Sequence, residues 1–420
     1  MSLPLWGSLY DAVALGMYTY ARAAHRVRVV APADERIVKG TLYLAAHRAE
    51  TDVPVICGSY YFAARVWGQR NPRLHFAARD DLFQPGFFAG FPPNLPRRLR
   101  RALYPVAIGR YLPHVRVHPI SSAVTMKLGQ ALALVEPELE LDLALSAPVY
   151  EAVLARAREL DATEPTCVAH LLKGDYADLL WLNVEARDLP AEAFDRAWSS
   201  RAAAAKDDLR AIIDLVRDGE ALLLFPEGQP SPDGDLGPLR RGLGAVIRRG
   251  RPERLSAFGL AYDPLTTGRD TVVLGVLESV DPPTGAGEPD VLPYLSRAIA
   301  LTSGQVVSAT LLEAVRAGAT NVSPAALDAA LVDAQDEALA ARRLVDPVLG
   351  DKGSRRRLLE DALRAVERRG GVKLAGSRSV RLVDHALRAD PVVARLATEH
   401  GAVKRELQRD DSSVGVPTNV

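Results

Sequence analysis

His47-Arg48-Ala49-Glu50-Thr51-Asp52 is the stretch on which the fold turns. Ahead of it, Lys39–Ala46 (KGTLYLAA) reads as a strand; behind it, Val53–Gly68 (VPVICGSYYFAARVWG) reads as a helix. Within one straight helix, a spacing of five would turn His47 and Asp52 away from each other. Pro54 suits the first turn of a helix, which predicts a helix beginning near Asp52 and leaves His47 in the preceding turn. A carboxylate at the helix start then reaches back to an imidazole at a strand end. Such a pair makes a general base, because the carboxylate fixes the tautomer and steadies the imidazolium that forms. The plainer alternative is a helix-capping Asp beside a surface histidine, and the six residues alone do not separate the two.

Outward from this unit, residues 1–130 alternate helical and strand-like runs. Helices are expected over 8–24 and 53–67, and strands over 27–30, 41–46, 74–78 and around Val115–His118. Strands alternating with helices imply a largely parallel sheet covered on both faces. Residues 131–205 are acidic and rich in Ala and Leu, and read as a helical insertion, with helical periodicity at Val149–Glu159 and Glu192–Ala205. Ser121-Ser122 reads as a cap for a helix over 123–134. The sheet pattern returns as a helix over 207–218, a strand at Glu220–Phe225, and strand-like runs at Leu255–Tyr262 and Thr271–Leu277. From about residue 289 the chain reads as helical. Two β-like stubs, Val372–Leu374 and Ser379–Leu382, follow the helix Arg356–Arg369 in a winged-helix-like pattern. The tail beyond Gln408 reads as disordered.

The 420 residues carry a formal net charge of zero, unevenly spread: the first 130 hold 17 Lys/Arg against 7 Asp/Glu. A basic amino-terminal third suits anionic surfaces or substrates. Cys57 and Cys167 form no disulfide framework, which points to a reducing cytoplasm. No run of eighteen apolar residues and no export signal is evident, so no membrane span is expected. Leu3–Ala24, apolar and aromatic with His25, Arg26 and Arg28 behind it, suits either a bilayer surface or its own domain. Arg97, Arg98, Arg100 and Arg101 beside Phe87, Phe88 and Phe91 form a second patch suited to a membrane surface.

A second motif, Phe225-Pro226-Glu227-Gly228, ends the strand at 220–225. It puts a glutamate at the carboxyl edge of the sheet, where open α/β sheets bind ligands, and Gly228 lets the backbone turn sharply. The pair of motifs, followed by Ser231-Pro232-Asp233-Gly234 and Leu239-Arg240-Arg241-Gly242, resembles the glycerolipid acyltransferase superfamily. So do Phe258–Asp263 (FGLAYD), which looks like that family's fourth block, and Ala77–Phe83 (AARDDLF). The similarity covers about residues 10–125 and 205–285.

The resemblance implies an α/β fold: a glycerol-3-phosphate acyltransferase-like sheet flanked by helices, here with a helical insertion and a mainly helical carboxyl-terminal module. It implies acyl transfer from acyl-CoA, or acyl carrier protein, to a hydroxyl of a glycerol-phosphate or lysophospholipid-like acceptor, at a membrane surface, with no cofactor and no nucleic acid. His47 would be the general base and Asp52 its orienting partner; Glu227 and Gly228 fall in the acceptor-binding corner. The family's third block commonly continues Thr-Arg-Ser, where this chain has Gln229-Pro230-Ser231, so the family's arginine is absent. Arg240 or Arg241 could take its place, and Arg116 is the nearest match to the arginine of the second block. The proline frequent in the fourth block is missing around Gly259. A binding or regulatory protein that kept the fold and lost catalysis is the alternative reading. His114 and His118 lack a carboxylate or cysteine cluster at ligand spacing, and no metal site is expected.

Overall fold

The computed structural model describes the chain apart from residues 1–4, 33–35, 50, 63–71, 84–95, 104–105, 123–124, 160–162, 173–176, 181, 229, 232, 283–287, 376–378 and 414–420. Phe87, Phe88 and Phe91, expected to form a membrane-surface patch with the nearby arginines, lie outside the described residues. The chain forms two compact units: Met1–Leu74 with Leu215–Val420, and His75–Asp214.

Among the described residues of the first unit, five strands form a sheet in the order Arg26–Val30, Thr271–Val276, Arg254–Asp263, Thr41–Ala45, Leu222–Leu224. Thr41–Ala45 pairs in parallel with both neighbours, and Arg26–Val30 pairs in parallel with Thr271–Val276. The exception is the antiparallel hairpin of Arg254–Asp263 and Thr271–Val276. The central strand TLYLA is buried at every position, as a parallel strand covered on both faces must be. Tyr43 stacks on Phe258 of the next strand, ring centroids 5.3 Å apart.

Gly259 and Gly275 face each other across the hairpin. A Cβ on either would collide with the backbone of Ala298, the last residue of the helix Glu288–Ala298. The helix end therefore lies directly on a glycine pair. The helical region beyond has its own core, in which Leu311, Leu331, Leu349, Ala362, Val366, Leu387 and Leu396 pack together. Its β stubs pair as the hairpin Val372–Ala375 and Ser379–Leu382, joined at one edge by Asn321–Val322. The last helix, Pro391–Ser413, extends as far as Ser413 into the tail expected to be disordered beyond Gln408, and the rest of that tail lies outside the described residues. The amino-terminal helix Leu5–Ala24 buries Tyr10, Ala14 and Ala21 and leaves Leu15 and Tyr20 exposed. Among the described residues no helix is long and apolar enough to cross a membrane.

The second unit holds a parallel pair, His75–Arg79 with Val117–Ile120, and an antiparallel pair, Thr125–Lys127 with Asn183–Glu185. Thr125–Lys127 corrects the expected helix over 123–134, which is confined to Leu128–Leu132. Met126 sits in the core that Leu128, Leu132, Leu141, Val153 and Ala197 share, and that burial favours a short ladder over local helix preference. The helices expected at 192–205 and 207–218 are one, Ala191–Arg217.

Candidate active site

Parallel register explains why distant motifs meet. Thr41–Ala45 lies between Leu222–Leu224 and Arg254–Asp263 and runs with both, so the segments following all three emerge at one edge. That edge receives His47, Phe225-Pro226-Glu227-Gly228 and Tyr262-Asp263.

After the central strand, the chain crosses His47–Ala49 and enters a short helix, Asp52–Ile56, capped at Thr51. The helix begins where Pro54 predicted. It continues as a π-type turn over Cys57–Phe62, so the expected single α-helix is shorter than its periodicity implied.

Asp52 is fully buried. Its Oδ2 accepts from the backbone N–H of Arg48 (2.6 Å) and Ala49 (3.0 Å), and lies 2.8 Å from His47 Nδ1. An oxygen already accepting two backbone N–H groups is an acceptor, so His47 Nδ1 carries the proton and donates it. Nε2 is then the basic nitrogen. The other carboxylate oxygen, Oδ1, accepts from the Tyr262 hydroxyl at 2.7 Å, and that hydroxyl lies 2.9 Å from Thr51 Oγ1. Burial first, and the Asp52 charge second, push the Tyr262 phenol well above its usual range; it stays protonated and donates. The His47 ring also lies against Phe225, centroids 4.6 Å apart, with 14% of its side chain exposed.

Glu227, 3% exposed, spends both oxygens on the loops around it. Oε1 accepts from the His47 backbone N–H at 2.8 Å; Oε2 accepts from Ser231 Oγ at 2.8 Å and the Gly237 N–H at 2.9 Å. The Ser231 N–H in turn donates to the His47 carbonyl at 3.0 Å. The glutamate thus ties the turn after one strand to the turn after its neighbour. Gly228 has φ +75°, and Arg240 packs over it. Arg240 Nε donates to the Glu227 carbonyl at 3.2 Å and its backbone N–H to the Pro226 carbonyl at 2.8 Å. Arg240 is exposed beside the corner, and so is Arg241, the cap of the helix Gly242–Gly250.

Arg116 belongs to the second unit. It takes a left-handed conformation, φ 61°, after the turn Gly109–Val115, and its Nη1 lies 2.8 Å from His75 Nε2. His75 Nδ1 lies 2.8 Å from His118 Nε2, and the rings stack. Within AARDDLF, Arg79 pairs with Asp81, and Asp80 with Arg201. No group of metal-binding side chains occurs among the described residues.

Tyr262, Thr51, Ser231 and Arg48 are the contributors that sequence reasoning did not single out. Tyr262 did stand in the quoted strand-ending Tyr-Asp, yet nothing local says which of the two reaches the site. Asp263, its neighbour, points the other way, accepting from Leu265 N–H and from Gly304 N–H at the start of the helix Ser303–Arg316.

No family model and no curated protein sequence matches the chain. Among solved structures, it is similar to the 1-acyl-sn-glycerophosphate (LPA) acyltransferase PlsC from Thermotoga maritima. The likeness covers 70% of this chain and 79% of that one, at 12% identity and a TM-score of 0.32.

Proposed function

We propose that this protein is an acyltransferase. It moves a fatty acyl group from acyl-CoA or acyl carrier protein to a hydroxyl of a glycerol-phosphate or lysophospholipid-like acceptor. The observation that carries this reading is the His47–Asp52 pair, with Nδ1 held at 2.8 Å and Nε2 left basic on a partly exposed ring. An imidazole so held is placed to take a proton at Nε2, and the buried carboxylate stabilises the imidazolium that forms.

In the reaction, Nε2 of His47 removes the acceptor's hydroxyl proton as its oxygen attacks the thioester carbonyl. The tetrahedral adduct collapses, the C–S bond breaks, and the proton passes from His47 to the departing thiolate. The donor is already activated, so a positioned base replaces any covalent intermediate on the protein. Arg240 and Arg241, exposed beside the Glu227–Gly228 corner, are the proposed partners for an acceptor phosphate in this unit. A cytoplasmic, peripheral position fits the Leu5–Ala24 helix, whose exposed positions Ala12, Leu15, Gly16, Thr19 and Tyr20 carry no charge and are followed by the exposed Arg22.

The test offers mixed acyl-CoAs with glycerol 3-phosphate and a panel of lysolipids, and follows free CoA and acylated product by mass spectrometry. The wild-type protein is expected to form an acylated lipid, and His47→Ala to remain folded and lose roughly 10²–10⁴-fold in rate. CoA release without acylated lipid would mean thioester hydrolysis instead. No release at all would leave a binding protein.

A further inference from the structure

The phenol of Tyr262 is engaged at the one point of the site that the base mechanism leaves unexplained. Asp52 Oδ2 is fully committed to His47 Nδ1 and two backbone N–H groups, and these contacts do not by themselves engage Oδ1. Tyr262 donates to that oxygen at 2.7 Å from a strand 210 residues away in sequence. Thr51, the residue before Asp52, touches the same hydroxyl at 2.9 Å. The phenol is itself held: it is 9% exposed, and the His25 ring meets it edge-on, centroids 5.7 Å apart.

We infer that Tyr262 is a positioning residue of the acyl-transfer site. Its hydroxyl fixes the Asp52 carboxylate plane so that Oδ2 meets His47 Nδ1, and it draws off part of the carboxylate's charge. The working unit is a Tyr262–Asp52–His47 chain of hydrogen bonds, in which only His47 meets substrate. This inference rests on the acyl-transfer reading for its catalytic meaning, and on geometry alone for the coupling itself.

Two effects follow when the hydroxyl is removed. The carboxylate, no longer sharing its charge with a donor, stabilises the imidazolium more strongly, so His47 titrates at higher pH. The carboxylate is also free to rotate, and the imidazole it orients spends less time aligned with the acceptor. Other ionisable groups near the unit are His25 and Tyr20 beside Tyr262, Arg395 at the Tyr262 carbonyl, Arg48 next to His47, and Glu227 at the His47 backbone. The substitution leaves all of them in place.

The experiment compares wild type with Tyr262→Phe and with 3-fluorotyrosine at position 262, a stronger donor. The His47 ring is titrated by nitrogen NMR, and kcat and KM are measured against pH. Phe is expected to raise the His47 titration point and fluorotyrosine to lower it. In Tyr262→Phe, kcat should fall about tenfold, the scale of one hydrogen bond to a charged group. KM should hold and the acidic limb of the rate profile should move to higher pH. An unchanged or lowered His47 titration point in Tyr262→Phe overturns the inference. So does a raised KM at constant kcat, which would put Tyr262 in contact with substrate. Because the titration needs no turnover, a wild-type protein without acyl transfer would sink the functional reading while the coupling is still tested.

Discussion

Gly228 shows how much one residue decides at the sheet edge. Its φ of +75° is a conformation that residues with a Cβ rarely adopt, and an added Cβ would stand 2.9 Å from Arg240 Nε. The turn it permits is what brings the Glu227 carboxylate back to the His47 N–H. Gly228→Ala should therefore lower stability by roughly 1–2 kcal/mol and shift the Arg240 side chain. Chemical denaturation reads the first effect. Loss of acceptor affinity with unchanged acyl-CoA affinity reads the second, if Arg240 meets an acceptor phosphate. Glu227 was expected in an acceptor-binding corner on the strength of its motif. Its observed partners are Ser231, Gly237 and the His47 backbone, so the geometry gives it the work of bracing the two turns.

Among elements, the last helix, Pro391–Ser413, bears most directly on the site. Glu399 lies 3.5 Å from Arg48 Nε, with both side chains almost wholly buried, and Arg48 Nη1 donates to the Asp235 carbonyl at 2.9 Å. Arg405 reaches the Asp235 carboxylate at 3.1 Å. One helix turn from Glu399, Arg395 approaches the Tyr262 carbonyl at 3.5 Å. The helix thus backs both the turn that carries His47 and the strand end that carries the phenol. At 3.5 Å the Arg48–Glu399 contact is an ion pair without a good hydrogen bond, yet removing one partner would strand the other charge in the interior. Glu399→Gln is expected to destabilise the protein by about 3 kcal/mol, measured by urea unfolding. The double variant Arg48→Met with Glu399→Leu should recover most of that loss. Sequence reading separated this helical region from the His47 and Glu227 motifs because nothing in the composition of either announces the other.

Over the whole molecule, buried ionisable groups set the response to acid. His400, on the same last helix, is pulled from 6.5 to about 4, by burial first and then by the charges of Arg343 and Lys404. A depressed folded-state value means that the unfolded chain binds the proton first. The stability His400 contributes is complete above about pH 6.5 and is lost as pH falls towards 4, a change on the order of 2–3 kcal/mol. Asp263 and Asp346, both raised by burial, act in the opposite sense, favouring the folded state once protonated. A thermal melt at pH 7 and at pH 5 should show a clear drop in Tm. His400→Leu should flatten that drop, and an equal drop in the variant would assign acid sensitivity elsewhere.

The sequence by itself determined what is local. The apolar run TLYLA makes a buried strand, Pro54 starts the helix at Asp52, and Gly228 turns the chain after the next strand. From these, a helix start that lets Asp52 reach back to His47 was legible, because it depends on neighbours within a few residues; a largely parallel sheet was legible from the alternation of strands with helices over residues 1–130. Where periodicity ran on without a local stop signal, it misjudged length: the helix after Asp52 changes to a π-type turn, and the expected helix over 123–134 shrinks to Leu128–Leu132. Only the tertiary structure decided which partners complete the base. The Glu227–His47 contact spans 180 residues and the Tyr262–Asp52 contact 210. Both are closed by the parallel register of three strands. That register is set by burial of the whole sheet, and it leaves no mark in the spacing of any single motif.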